Sequence, residues 1–253
     1  MLKFIGTGSA FNTNMVNNSA YIKEEKTLFI IDCGETAFAR MKNLKLFEGV
    51  ENVYIAITHM HSDHIGSVGS LVEYLNIFCN IVPTFIITNE DSAEAQEDTL
   101  RKYLTIIGVY EEKYEFSYGD MMEDVLPGLV KVDMIEINHS KKLTSYAVEL
   151  HFTDKTIYYT GDHNDKEYLT MIASVLKPSD LVYTDCTNME YENRPHISIN
   201  ELSDIFTENQ REQVYCMHLE NMAICSDIKQ AGFKVASGEK TIEELLRLIA
   251  NRK

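Results

Sequence analysis

Three histidines and one aspartate fall within six consecutive positions, from His59 to His64, in a segment that reads THMHSDHIG. Neutral imidazole and carboxylate are the ligands that zinc and similar divalent cations prefer in proteins. His59 and His61 alternate at the end of an apolar run, so their rings project to the same side of a strand. Asp63 and His64 follow in the next turn. Four ligands this close crowd a single tetrahedral ion, so the pattern predicts two ions and further ligands from elsewhere.

Three more candidate ligands each end an apolar run that is typical of a strand. His139 ends KVDMIEINH, Asp162 ends KTIYYTGD and His218 ends QVYCMHL. Any one of them alone is equally well explained as an ordinary hydrogen-bonded polar residue. Because strand ends deliver side chains to a shared edge of a sheet, three residues at equivalent positions favour one common metal site.

The elements that must position these residues are short β-rich runs with turn residues and helical segments between them. Segments 91–107 and 241–253 have helical spacing, and Ser198 with Glu201 predicts a capping box at the start of another helix. No linker rich in Pro, Gly or Ser divides the chain. We therefore expect one domain, residues 1–253, of stacked sheets with helices on their outer faces.

Composition narrows the range of partners. The formal net charge is −16, with 39 acidic and 23 basic residues. Binding to long nucleic acid requires a basic face, so we expect no long RNA or DNA partner. The apolar runs are too short to span a membrane, the N-terminus lacks the pattern of a signal peptide, and the five cysteines form no C-x-x-C pair. These features predict a cytoplasmic protein with no membrane partner.

The motif H-x-H-x-D-H, followed by a strand-end histidine, a TGD aspartate and a late strand-end histidine, resembles the metallo-β-lactamase fold superfamily. The opening FIGTGSAFNTNMVNNSAYI and the IDCGE segment with Asp32 are similar to its ribonuclease Z branch. The HISINEL segment, from His196 to Leu202, resembles the HST loop of that branch. The resemblance covers essentially the whole chain.

This resemblance implies an α+β fold, a four-layer αββα sandwich, that binds two divalent metal ions. Zinc is favoured, and manganese or iron are the alternatives because the same ligands accept them. One ion would be held by His59, His61 and His139, the other by Asp63, His64 and His218, with Asp162 as the bridge. Asp32 would orient the metal-binding histidines.

Three features depart from ribonuclease Z, and one of them is the net charge of −16. That enzyme inserts a long tRNA-binding arm between the third histidine and the bridging aspartate, whereas here the interval is only 162 − 139 = 23 residues. Its P-x-K-x-R-N loop aligns with residues 12–17, where only the final asparagine is kept and both basic residues are lost. A chain that has this active site but lacks the segments that bind long RNA resembles the anti-Pycsar protein family, whose members hydrolyse cyclic mononucleotides and typically form homodimers.

The resemblance therefore implies a two-metal phosphodiesterase that converts 3′,5′-cyclic mononucleotides to nucleoside monophosphates and counters antiphage signalling. Asp63 would orient or deprotonate the attacking water, and His196 would protonate the leaving oxygen, held in place by Glu201. The alternatives are a ribonuclease Z-like RNA endonuclease and a metallo acyl-hydrolase such as a lactonase or thioesterase. The simpler interpretation of His196 is an ordinary capping or surface residue.

Two further histidines receive no catalytic role. His163, beside Asp162, either supports the site or is exposed, and we expect it to be exposed. His151 lies in a strand-like run, where alternation places it on the solvent face.

Overall fold

Two six-stranded sheets form the centre of the fold. The computed structural model describes residues 1–12, 14–89, 91–119, 122 and 125–240. The first sheet contains β1 (Lys3–Gly6), β2 (Ser19–Glu24), β3 (Thr27–Ile31), β4 (Asn52–Ala56), β5 (Thr84–Ile87) and β6 (Glu115–Tyr118), in that spatial order. The second contains β7 (Leu129–Ser140), β8 (Leu143–Phe152), β9 (Thr156–Tyr159), β10 (Leu181–Asp185), β11 (Val214–Met217) and β12 (Lys234–Val235), again in chain order.

Each sheet begins with an antiparallel meander and continues with parallel strands. In the first sheet β1, β2 and β3 pair antiparallel, and β3 to β6 pair parallel. In the second sheet β7, β8 and β9 pair antiparallel, and β9 to β12 pair parallel. Parallel neighbours need crossover connections, which is where most helices occur. This topology brings the carboxyl ends of several strands to the same edge.

The helices cover the outer faces of the two sheets. They are α1 (Ala37–Asn43), α2 (Ser62–Ile65), α3 (Val68–Tyr74), α4 (Ala93–Ile106), α5 (Lys166–Val175), α6 (Ile199–Ile205), α7 (Glu208–Arg211) and α8 (Ile224–Gln230). A π-helical turn, Leu75–Cys79, continues α3, and a short 3-10 turn, Glu111–Lys113, precedes β6. The predicted helix over 91–107 is confirmed as α4, whereas the predicted helix over 241–253 lies outside the described residues.

Three apolar clusters separate four layers of structure. Along β3, Phe29 and Ile31 point into the cluster between the sheets, while Leu28 and Ile30 point into the cluster under α1, α3 and α4. A third cluster packs the second sheet against α5, α6 and α8. A strand that is apolar on both faces fits this arrangement, because each face meets a buried layer. The predicted four-layer αββα sandwich is confirmed.

Candidate metal centre

The H-x-H-x-D-H segment leaves the carboxyl end of β4 and turns directly into α2. His59 and His61 lie on the extended connection, and Asp63 and His64 lie in the helix itself. The Cys33 amide donates to the His64 carbonyl over 2.7 Å, which ties α2 to the segment after β3. Gly34 makes this contact possible, because a Cβ at that position would lie 1.9 Å from the Asp63 carbonyl oxygen.

The other predicted ligands come from the second sheet. His139 lies near the end of β7, Asp162 follows β9 after Gly161, and His218 comes directly after β11. The backbone at Gly161 has φ +63° and that at His218 has φ +53°. These left-handed turns redirect the chain at the ends of the strands. All seven predicted ligands therefore meet at the edge where the two sheets come together.

The seven side chains form two neighbouring groups. Within each group, one ligand atom per residue lies within 4.8 Å of the others. The groups are His59 with His61 and His139, and Asp63 with His64, Asp162 and His218. The sequence predicted this assembly, and the role of these residues as ligands stays a prediction.

In the first group, three ring nitrogens converge. His61 Nδ1 lies 2.9 Å from His59 Nε2 and 3.3 Å from His139 Nε2. On its other side, His139 Nδ1 lies 3.1 Å from the Pro195 carbonyl oxygen, which can only accept, so this nitrogen is the donor and Nε2 has its lone pair free. Burial lowers the pKa of both His59 and His139. They are therefore neutral at physiological pH, the form that binds a metal ion.

The second group places two carboxylates between two histidines. His64 Nε2 lies 3.3 Å from an oxygen of Asp63 and 3.3 Å from an oxygen of Asp162. His218 Nε2 lies 3.1 Å and 3.2 Å from the same two carboxylates. The buried His64 Nε2 and Asp162 Oδ1 have no hydrogen-bond partner. Buried polar atoms are rarely left unpaired, so these atoms fit a bound cation well.

The electrostatics of this group favour positive charge. Burial alone would raise the pKa of Asp162, but His218 and His64 outweigh it and hold that pKa well below its usual range. Burial likewise opposes ionisation of Asp63, yet the nearby His218 and His64 outweigh it and keep the pKa of this carboxyl lowered. Burial lowers the pKa of His64, but Asp162 and Asp32 raise it well above its usual value. A field that attracts a proton this strongly attracts a divalent cation as well.

Asp32 holds His64 from behind. Its Oδ2 lies 2.8 Å from His64 Nδ1, and its Oδ1 accepts from the Thr58 amide over 2.8 Å. The carboxylate is completely buried, and burial raises its pKa. The backbone of Asp32 has φ +64°, which turns the side chain towards the metal-binding segment. The contact fits the orienting role that the sequence analysis gave Asp32, and that role stays a prediction.

His196 lies beside both groups, with its ring centroid 5.0 Å from that of His218 and 5.5 Å from that of His139. Its Nδ1 lies 2.6 Å from an Asp185 carboxylate oxygen. Burial lowers the pKa of His196, but the hydrogen bond to Asp185 outweighs it and raises the pKa to about 9. At neutral pH the ring is therefore an imidazolium whose second N–H is free to donate.

The expectation that Glu201 holds His196 is wrong. Glu201 accepts from the Ser198 amide over 2.9 Å in the capping box of α6 and forms ion pairs with Lys166 and Arg194. It therefore stabilises the start of the helix. Asp185 takes the expected place, and the sequence analysis missed it, although it ends the apolar run LVYTD as the predicted ligands end theirs.

Two other expectations about histidines need correction. His163 is completely buried rather than exposed, with Nε2 3.0 Å from the Thr184 hydroxyl and 3.3 Å from Asp185. Its Nδ1 accepts from the Asp165 amide, so Nε2 carries the proton and donates to the Thr184 hydroxyl, while the backbone amide of His163 donates to Asp185 Oδ2 over 3.2 Å. His151 is half-buried rather than on a free solvent face, and its Nε2 lies 3.0 Å from Asp133.

The two groups open into a cleft of about 1360 Å³. Residues 139–162 contain only the end of β7, the turn to β8, β8 itself and β9. No arm therefore projects between the third histidine and Asp162. Asn12 in the loop after β1 donates its side-chain amide to the Leu219 carbonyl over 2.8 Å.

No helix among the described residues is long and apolar enough to span a membrane.

The two sheets and the two ligand groups at their shared edge define a protein of the metallo-β-lactamase fold with a candidate metal centre. The structure resembles the metallo-β-lactamase fold protein YhfI of Bacillus subtilis, with a TM-score of 0.70 and 15% identity over 95% of this chain and 96% of that one. It also resembles the short form of human tRNase Z, with a TM-score of 0.64 and 16% identity over 95% of this chain and 97% of that one. Similarity at this level of identity shows the fold alone.

Sequence comparison shows the family. Residues 1–238 match the family described as anti-Pycsar protein Apyc1, and the chain belongs to it. It is 27% identical over 222 residues to the anti-Pycsar protein Apyc1 of Paenibacillus harenae, covering 86% of this chain and 88% of that one. It is 26% identical over 238 residues to the anti-Pycsar protein Apyc1 of Bacillus phage 010DV004, with the same coverage of 86% and 88%.

Proposed function

We propose that this protein is a two-metal phosphodiesterase that hydrolyses 3′,5′-cyclic mononucleotides to nucleoside monophosphates and thereby counters Pycsar signalling. The observation that carries the proposal is the pair of His and Asp groups with a cationic His196 beside them. A leaving oxygen that needs a proton would find one there. Membership in the anti-Pycsar family supports the choice of substrate.

The seven residues of the two groups fit two divalent ions. Imidazole and carboxylate donors suit zinc, and the same set accepts manganese or iron. When bound, such ions neutralise phosphate charge and lower the pKa of the attacking water. This chemistry requires the ligand atoms to be unprotonated. The lowered pKa values of His59, His139, Asp63 and Asp162 favour that form, whereas His64, whose pKa Asp162 and Asp32 raise, would release a proton when the ion binds.

The residues of the chain itself would divide the proton transfers. Asp63 is ionised and faces the cleft, so it can accept a hydrogen bond from the attacking water and orient it. His196 would donate the proton on Nε2 to the departing 3′-oxygen. Asp185 would keep His196 protonated and correctly turned, and the backbone amide of His163, which donates to Asp185, would hold that carboxylate in place. These are four separate roles, and each has a distinct residue.

The family resemblance also implies the setting in which the protein acts. We propose a homodimer in the cytoplasm with a small nucleotide as its substrate. Light scattering on the purified, metal-loaded protein would decide the oligomeric state, and a monomer at micromolar concentration would contradict the dimer.

The decisive experiment measures products from each substrate class. Metal-loaded protein is incubated with the 3′,5′-cyclic forms of CMP, UMP, AMP and GMP, and the products are separated by chromatography. A thioester and a lactone test the acyl-hydrolase alternative in parallel. We expect nucleoside monophosphates from at least one cyclic nucleotide, and loss of this activity in Asp162→Asn. Turnover of the thioester or lactone, with all four cyclic nucleotides intact, would overturn the proposal.

A further inference from the structure

Phe11 is a large apolar side chain that is 96% exposed on the wall of the metal cleft. Other apolar residues are also exposed, such as Phe78 at 74%, but they line no part of this cleft. A single exposed apolar side chain is ordinary on a protein surface, but an aromatic ring on the wall of a cleft offers its π-face to a planar ligand. A ligand that is planar and weakly polar would pack well against this ring.

The loop that carries Phe11 is fixed to the metal centre. The amide of Leu219 donates to the Thr7 carbonyl over 2.7 Å, and the amide of Ser9 donates back to the Leu219 carbonyl over 3.1 Å. The side chain of Asn12 donates to the same Leu219 carbonyl. Leu219 follows His218 in the chain. Phe11 is therefore held between two anchored neighbours, Ser9 and Asn12, at a set position relative to one of the predicted metal ligands.

We propose that Phe11 is the stacking platform for the nucleobase of the substrate, a role that rests on the proposed function. A phosphodiester bound at the metal centre leaves its ribose and base in the open cleft. The cleft of about 1360 Å³ has ample room for a mononucleotide, since pockets for small ligands usually enclose about 300–1,000 Å³. A π-face accepts any base, so this contact provides affinity without choosing between bases.

The first experiment uses the absence of tryptophan from the chain. The Phe11→Trp variant has a single indole, whose fluorescence a stacked base would quench. The probes are uridine and adenosine 5′-monophosphate, with ribose 5-phosphate as the ligand that lacks a base. We expect saturable quenching by both nucleotides and none by ribose 5-phosphate. The Phe78→Trp variant is the matched control, since its exposed ring lies away from the cleft.

The second experiment separates the base from the phosphodiester. Phe11→Ala should raise KM for cyclic nucleotides roughly 5- to 150-fold, the range expected for loss of one stacked base. The methyl riboside 3′,5′-cyclic phosphate has the same phosphodiester and no base, so its KM should not change. Phe11→Tyr should restore KM for the cyclic nucleotides.

These outcomes distinguish the stacking role from the proposed function. If the wild type cleaves no cyclic nucleotide, the proposed function fails, and the fluorescence titration still decides whether a base stacks on residue 11. If the wild type cleaves them, but Phe11→Ala keeps its KM and Phe11→Trp shows no saturable quenching, the stacking role is overturned. It is also overturned if Phe11→Ala only dissociates an oligomer.

Discussion

At the scale of single residues, His196 is the side chain on which the proposed chemistry most depends. It is not one of the seven predicted ligands, yet its ring lies 5.0 Å from that of His218, and it forms a further His and Asp group with Asp162, Asp185 and His218. Its short hydrogen bond to Asp185 makes it a cation at neutral pH. It can donate a proton, and the seven predicted ligands already suffice for two ions, so we expect proton donation and metal binding to be separable by mutation.

His196→Ala should lower kcat for a cyclic nucleotide by roughly 10²–10⁴, the usual cost of losing a general acid. Metal content should stay the same, as measured by elemental analysis. With bis-p-nitrophenyl phosphate the loss should be far smaller, because p-nitrophenolate leaves without a proton. His151→Ala is the matched control, since this histidine lies outside the cleft lining. If the kcat of His196→Ala for the cyclic nucleotide stays within threefold of the wild-type value, His196 is not the general acid.

Asp185→Asn should move the alkaline limb of kcat/KM to lower pH. The acid form of His196 is the active one, so activity falls as pH rises through the pKa of this group, which Asp185 raises to about 9. Without the carboxylate that pKa drops, and protonated His196 becomes scarce at a lower pH. A full pH–rate profile of both proteins measures the shift. An unchanged alkaline limb would mean that Asp185 does not control the proton on His196.

At the scale of elements, the close contact of the segment after β3 with α2 positions two of the seven predicted ligands, Asp63 and His64. Gly34→Ala should disturb it, because the new Cβ would meet the backbone of Asp63, which cannot rotate away. We expect a loss of stability of about 1–3 kcal/mol, as overpacking usually costs, together with weaker metal retention. Thermal unfolding and metal analysis measure both. Gly238→Ala is the matched control, because the nearest atom to its Cβ would be 3.7 Å away.

Glu201 contributes to the stability of α6 rather than to catalysis. Burial alone would raise its pKa, but Lys166, Ser198 and Arg194 outweigh it and lower the pKa from 4.5 to about 2. A lowered pKa stabilises the fold above pH 4.5, and that contribution is lost as pH falls towards 2.

Glu201→Gln should therefore lower the free energy of unfolding at pH 7 by about 1 kcal/mol, the scale of partly exposed ion pairs. Urea unfolding of both proteins would show the difference shrinking as pH drops below 4.5. The value of kcat at pH 7 should match that of wild type. A large fall in kcat with unchanged stability would restore Glu201 to the catalytic set.

The sequence predicted the elements and the strand-end ligands because both depend on local patterns. Apolar runs ending in His139, Asp162 or His218 are visible without the fold, and parallel strands bring such ends together. The partner of His196 was not visible in the same way. Glu201 is close to His196 in sequence, but the capping box turns its carboxylate to Ser198, whereas Asp185 is brought to His196 by the fold.

At the scale of the whole molecule, each sheet supplies only part of the site. The first sheet leads into the four-residue set from His59 to His64, and the second provides His139, Asp162 and His218. The Tyr146 amide of β8 donates to the Thr58 carbonyl over 2.8 Å, which joins the two halves beside the centre. The site therefore forms only when both sheets are packed together in the sandwich.

The net charge bears directly on the size of the substrate. We expect this protein to cleave cyclic mononucleotides far faster than it trims the 3′ ends of precursor tRNA. With a net charge of −16, the molecule repels a polyanion, whereas a cyclic mononucleotide carries one charge that the metal centre can neutralise locally. No arm lies between β7 and β9, and residues 12–17 contain no Lys or Arg to hold an RNA end. The rates on both substrates are compared at equal enzyme concentration, at low and at physiological salt. Physiological salt weakens the repulsion, but it should speed the RNA reaction only slightly because the protein lacks the residues that would contact the RNA. Efficient trimming of tRNA, with all four cyclic nucleotides intact, would replace the cyclic-nucleotide assignment with the ribonuclease alternative.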